Sequence, residues 1–133
     1  MNLFEMPKYQ WWNHMETIVQ NVNLDQISFI QNNEIRYSFS NSYNGGFYGN
    51  LVCRKVLKCW IENEPFEDEP FAYFVLDVYK KELSREELAS ALSDSRYGYG
   101  YPVDLSLLGR QYLVVIIGNE ICIDLICGEV EIE

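Results

Sequence analysis

Residues 112–127 restrict the folds open to this chain more than any other segment. Two apolar runs, 112–117 and 120–127, flank Gly118-Asn119. That is the pattern of a β-hairpin, and a glycine in the first central position suits a type II′ turn. In the first run both side-chain parities are apolar: Val114 and Ile116 on one face, Leu113, Val115 and Ile117 on the other. A strand with two apolar faces is a central one, covered by helices on one side and by loops or a partner on the other.

The remaining elements are read around that hairpin. Trp11, Met15, Ile18 and Val22 recur at steps of 4, 3 and 4, with Trp12 and Val19 widening the stripe and Pro7 suited to a first turn. This predicts a helix over 7–22. A short strand over 27–30 follows, then an Asn32-Asn33 turn and a half-buried strand in which Ile35, Tyr37 and Phe39 alternate with polar residues. The 40–46 segment, ending Asn44-Gly45-Gly46, reads as a turn. Residues 47–61 fit either period, because Val52, Val56 and Trp60 share helical spacing and strand parity; the Gly-Gly turn and the β-branched content favour strand. Another strand is expected over 71–79. Leu83-Ser84-Arg85-Glu86-Glu87-Leu88 is a capping box with a hydrophobic staple, opening a helix over 85–92. Gly128 is read as a bulge that re-aims Val130 and Ile132. The expected fold is one α+β domain over 1–133: an antiparallel sheet of about six strands, an N-terminal helix, one short internal helix and a C-terminal β-hairpin.

Charge narrows the function. Of 133 residues, 20 are acidic and 10 basic, for a net charge of −10. Nucleic-acid binding requires a basic footprint, and an anionic membrane surface requires the same, so neither partner is expected. The apolar run 112–118 is far shorter than the roughly 20 residues of a membrane span. No basic segment followed by an apolar stretch opens the chain, so a cytoplasmic location is expected. The excess is concentrated in two places. Glu62, Glu64, Glu67, Asp68 and Glu69 form one segment without Lys or Arg; Glu120, Asp124, Glu129, Glu131 and Glu133 form the other. Focused acidity of this kind steers basic partners, although it also fits a solvated loop that favours solubility. The alternating Glu129 to Glu133 segment fits an edge strand whose charges discourage aggregation, or one that pairs with a partner strand.

No catalytic or metal signature is present. Cys53, Cys59, Cys122 and Cys127 are spaced C-x5-C and C-x4-C rather than in the C-x2-C pairs of zinc or redox sites, and His14 is the single histidine. The cysteines read as small core hydrophobes in a reducing compartment. His14 beside Trp11 and Trp12 reads as boundary packing. Asp77 and Asp124 lie within apolar strand sequence, where a carboxylate must be exposed or partnered, for example by Arg54. Neither catalytic residues nor a cofactor are expected.

Tyr97, Tyr99 and Tyr101 alternate with glycines before Pro102, and Tyr43, Phe47 and Tyr48 surround Gly45-Gly46. Such tyrosines either fold back over the sheet or form a contact surface, since exposed Tyr supplies contact area at low rotamer cost. In size, in its two acidic segments and in its tyrosine loop the chain resembles bacterial immunity proteins of polymorphic-toxin and contact-dependent growth inhibition systems. The resemblance implies a non-enzymatic protein that neutralises a basic, nuclease-type toxin domain, as a monomer or one-to-one heterodimer, without cofactor. The expected partner-binding residues are Glu62, Glu64, Glu67, Asp68, Glu69, Tyr97, Tyr99 and Tyr101. Two alternatives stay open: a small enzyme or ligand-binding protein using buried carboxylates, and a subunit of a larger cytoplasmic assembly.

Overall fold

A computed structural model describes residues 15–63, 73–92 and 105–133. Eight strands form one antiparallel sheet: β1 (Glu16–Ile30), β2 (Glu34–Asn41), β3 (Phe47–Arg54), β4 (Lys58–Asn63), β5 (Tyr73–Glu82), β6 (Tyr112–Gly118), β7 (Ile121–Cys127) and β8 (Glu129–Ile132). One helix, α1 (Arg85–Leu92), and a single 3-10 turn, Leu105–Leu107, complete the described elements. The fold is therefore mostly β, not the α+β arrangement of six strands expected from sequence. No helix among the described residues is long and apolar enough to cross a membrane.

The expected N-terminal helix is the largest correction. Residues 16–30 form one long strand paired with β2 on one side and β5 on the other; positions 7–14 lie outside the described residues. Two register shifts explain the misreading, one against β5 between Thr17 and Val19 and one against β2 between Leu24 and Gln26. Asn21 takes a left-handed conformation between them, with φ 55°. A one-residue slip sends the following side chains to the opposite face. The core-packed residues of β1 are thus Ile18, Val19, Val22, Leu24 and Ile27, at steps of 1, 3, 2 and 3. Steps of three imitate the helical period.

The sheet order is β4-β7-β6-β5-β1-β2-β3-β8, and its two ends belong to the same pair of chain segments. β3 runs through residues 55–57 into β4, and β7 runs through Gly128 into β8. The ladder of Arg54 with Glu129 is followed across that corner by the ladder of Lys58 with Ile126. Leu57 N–H donates to the Ile126 carbonyl at 2.8 Å, and Gly128 N–H to that of Arg54 at 3.0 Å. The sheet thus curls back on itself. Residues 47–61 are strand, broken at Lys55, whose φ is 57°.

Curling makes an inside and an outside. Tyr37, Phe39, Leu51, Cys53, Val114, Ile116, Ile123, Leu125 and Cys127 fill the inside together with the inward residues of β1 and β5. Outside, Leu113, Val115 and Ile126 are covered by Leu88, Ala91 and Leu92 of α1 and by Leu83. This accounts for the doubly apolar β6. The capping box closes as its residue types dictate: Glu87 N–H donates to Ser84 Oγ at 3.2 Å, and Ser84 N–H donates to Glu87 Oε1 at 3.1 Å.

The β6–β7 pair is not a C-terminal hairpin standing at the end of the fold, because β7 continues into β8, which crosses to pair with β3. Gly118 is the last residue of β6 rather than a turn residue. A Cβ there would lie 2.5 Å from the carbonyl oxygen of Phe74 on β5, so close backbone approach requires glycine.

Candidate protein-contact site

The turn between β2 and β3 is built from Ser42-Tyr43-Asn44-Gly45-Gly46, and its hydrogen bonds are closely spaced. Asn41 N–H donates to the Gly46 carbonyl at 2.7 Å, and Gly45 N–H to that of Asn41 at 2.9 Å. The side chain of Asn41 accepts from Tyr43 N–H, and that of Asn44 from Gly46 N–H, both at 2.8 Å. Asn and Ser favour such turns because a short side chain replaces a backbone acceptor. Gly45 supplies the positive φ of 71°. Ser42 Oγ donates to the Asn21 carbonyl at 2.9 Å, tying the turn to the left-handed position of β1.

This stiff turn presents its aromatic rings outward. Tyr43 is 91% exposed, Phe47 75% and Tyr48 46%. Of the two readings of this aromatic turn, folding back over the sheet is excluded for Tyr43 and Phe47. No charged side chain occurs from residue 37 to residue 53, so the tip is an uncharged aromatic surface on a strongly acidic molecule.

Most of the expected partner-binding residues, namely Glu64, Glu67, Asp68, Glu69, Tyr97, Tyr99 and Tyr101, lie outside the described residues, as does His14. Glu62 lies exposed on β4 and accepts from Trp60 Nε1 at 2.9 Å. Trp60 is 54% exposed and Ile61 40%. These two were missed from sequence because nothing in residues 47–61 marks where β3 ends and a sheet-edge strand begins.

The C-terminal acidic segment does not form a free negative patch. Arg54 reaches Glu34 at 3.0 Å, Glu131 at 3.1 Å and Glu133 at 3.3 Å; Arg36 reaches Glu34 at 2.8 Å and Glu133 at 3.6 Å. Lys55 meets Glu129 at 3.2 Å. The hydrogen bond from Arg36, with the help of Arg54, holds the Glu34 carboxyl below its ordinary range, and the bond from Arg54 does the same for Glu131.

The groups considered for catalysis are dispersed. Asp77 on β5 accepts from Gln20 Nε2 at 3.0 Å, whereas Asp124 is buried on β7 with β6 running between the two. Arg54, considered as their partner, is engaged elsewhere. The Tyr37 hydroxyl lies 3.9 Å from Cys59 Sγ in the core. Hydrogen bonding to Cys127 and burial push the Cys53 thiol up, and burial pushes up Cys59 and Tyr37. A raised thiol stays protonated, the opposite of an activated nucleophile. All four cysteines are free, and no cluster of three or more His, Cys, Asp or Glu among the described residues could hold a metal ion.

Fold and surface together define a curled antiparallel β protein with, among the described residues, one covering helix and an exposed aromatic turn. Residues 17–133 match the model of the "-like:-like" protein family, and the chain belongs to that family. Among solved structures it is similar to an uncharacterized protein from Neisseria gonorrhoeae. The TM-score is 0.60 and the identity 18%, over 90% of this chain and 96% of that one. This likeness is one of fold. No curated protein matches the sequence.

Proposed function

We propose that this chain is a non-catalytic protein-binding domain that neutralises a basic protein partner in the cytoplasm, in the manner of an immunity protein bound to a toxin domain. The observation that carries this reading is the pre-organised aromatic turn, with Tyr43 and Phe47 held in solvent by hydrogen bonds on both sides. Its composition of Tyr, Asn, Ser and Gly is that of protein-binding loops, in which rigid aromatics provide contact area and small polar residues adapt. Pre-organisation lowers the ordering cost of association. The net charge of −10 favours encounter with a basic surface, and Lys or Arg on that surface can stack on the exposed rings. Four free cysteines suit a reducing compartment.

The test is co-expression with the product of the neighbouring open reading frame, scoring host growth and co-purification. Rescue of a toxic neighbour through a stable one-to-one complex is the expected result, and Tyr43→Ala with Phe47→Ala should abolish rescue while the thermal midpoint stays in place. No toxicity and no complex would count against the reading.

A further inference from the structure

We infer that β4 pairs with β4 of a second copy of this chain, antiparallel and centred on Trp60, to form a two-fold symmetric dimer. β4 ends the sheet order, and among the described residues its strand partner is β7 alone. The Ile126 carbonyl turns toward β4, where it accepts Leu57 N–H at 2.8 Å. Ile126, Asp124 and Cys122 stand in register with Lys58, Trp60 and Glu62, so those three β4 residues direct their backbone groups to β7. Successive backbone groups alternate sides along a strand. Cys59 and Ile61 therefore direct N–H and C=O away from β7, toward the side on which no strand among the described residues pairs with β4.

An antiparallel copy centred on Trp60 matches this edge in three ways. Cys59 faces the partner's Ile61 and Ile61 faces the partner's Cys59, each pair exchanging two backbone hydrogen bonds. Trp60 faces the partner's Trp60 at a non-hydrogen-bonded position, where side chains come closest. Lys58 faces the partner's Glu62, and Glu62 the partner's Lys58. Lys58 Nζ also donates to the Ala91 carbonyl at 3.1 Å; an ammonium has three N–H groups, so one side chain can serve both. An edge of single sign would repel its own copy. This one carries opposite charges on the two sides of Trp60, Lys58 before it and Glu62 after it. Self-complementarity of this kind is what an isologous interface requires. It also covers Trp60 and Ile61, which on an open edge invite non-specific pairing.

Sedimentation equilibrium on the full chain over a concentration series tests the inference. The mass should approach 31.2 kDa, twice the 15.6 kDa of one chain. Glu62→Lys and Lys58→Glu should each weaken the dimer about tenfold, because two attractive pairs become repulsive, and the double exchange should restore it. A monomer at every concentration overturns the proposal. So does a dimer unmoved by either reversal, or single losses that the double exchange does not restore. Should the Lys58 variants fail to fold, Glu62→Lys and Trp60→Ala carry the test, since both side chains are exposed; a dimer indifferent to both overturns it. The aromatic turn lies at the other end of β3, so failure here leaves the partner-binding reading untouched.

Discussion

Glu34 and Arg54, twenty residues apart, meet at 3.0 Å and join the start of β2 to the end of β3. Arg54 continues to Glu131 and Glu133 on the β8 side, so one guanidinium connects three strands at the corner. The Arg36 hydrogen bond, helped by that of Arg54, holds the Glu34 carboxyl below its ordinary range, and the Arg54 hydrogen bond does the same for Glu131. A carboxyl depressed in the folded state contributes stability above its unfolded pKa, and that contribution is lost as pH falls through the folded value. Urea unfolding should therefore show constant stability from neutrality down to about pH 5 and a decline below it. Glu34→Gln should flatten that acid limb. An unchanged limb in the variant would show that the network contributes nothing to acid stability.

The corner itself rests on two backbone conditions. Lys55 sits at φ 57°, which costs a side-chain-bearing residue about 1 kcal/mol relative to glycine. Opposite it, a Cβ on Gly128 would lie 3.2 Å from the Cβ of Lys55. Lys55→Gly should be neutral or stabilising by up to about 1 kcal/mol, the exposed Lys55–Glu129 pair being worth little. Gly128→Val should destabilise by about 1–3 kcal/mol. Chemical denaturation of the two variants checks both signs.

That corner also separates what the sequence reveals from what it hides. The capping box at Ser84 and Glu87 was legible because its chemistry is local and completes within four residues. The double apolar face of β6 was legible because burial on both sides leaves no polar position to mask it. β1 was not legible: Asn21 and the neighbouring register shifts separate Val19 from Val22, and Leu24 from Ile27, by three-residue steps that strand reasoning rejects. Nor was the corner, since Lys55 is not a residue type that announces a left-handed backbone. The contact surface was half legible. Tyr43 and Phe47 were recognised as an aromatic turn, but their exposure follows from the hydrogen bonds of Asn41 and Asn44. That β4, with Trp60, ends the sheet order among the described residues follows from which strands the sheet places last, a long-range property.

Tyr37 is fully buried, and its hydroxyl has the Cys59 sulfur, 3.9 Å away, as its neighbour. Sulfur is a weak acceptor, so burial of this hydroxyl returns little. Tyr37→Phe keeps the ring and removes the polar atom, and should leave stability within about 1 kcal/mol or raise it. Tyr37→Ala should cost about 3–5 kcal/mol by opening a cavity inside the curl. A large loss in the Phe variant would show that the hydroxyl makes a stronger bond than the geometry indicates.

The stiffness of the aromatic turn makes the final prediction. A Cβ added to Gly45 would meet nothing within 4 Å, whereas one added to Gly46 would lie 3.1 Å from Asn44 Oδ1. Gly45→Ala should therefore act through backbone strain alone, costing about 1 kcal/mol at φ 71°. Gly46→Ala should instead displace the Asn44 side chain and release the bond that Gly46 N–H makes to it. Asn44→Ala should reproduce the second effect without the first. Amide hydrogen exchange separates the two routes: Gly46 should lose protection in Asn44→Ala while β3 amides from Leu51 to Cys53 keep theirs. Unchanged exchange at Gly46 would mean that the side-chain acceptor does not hold the turn, and the pre-organisation of Tyr43 and Phe47 would then rest on the Asn41 bonds and on the bond from Ser42 to Asn21.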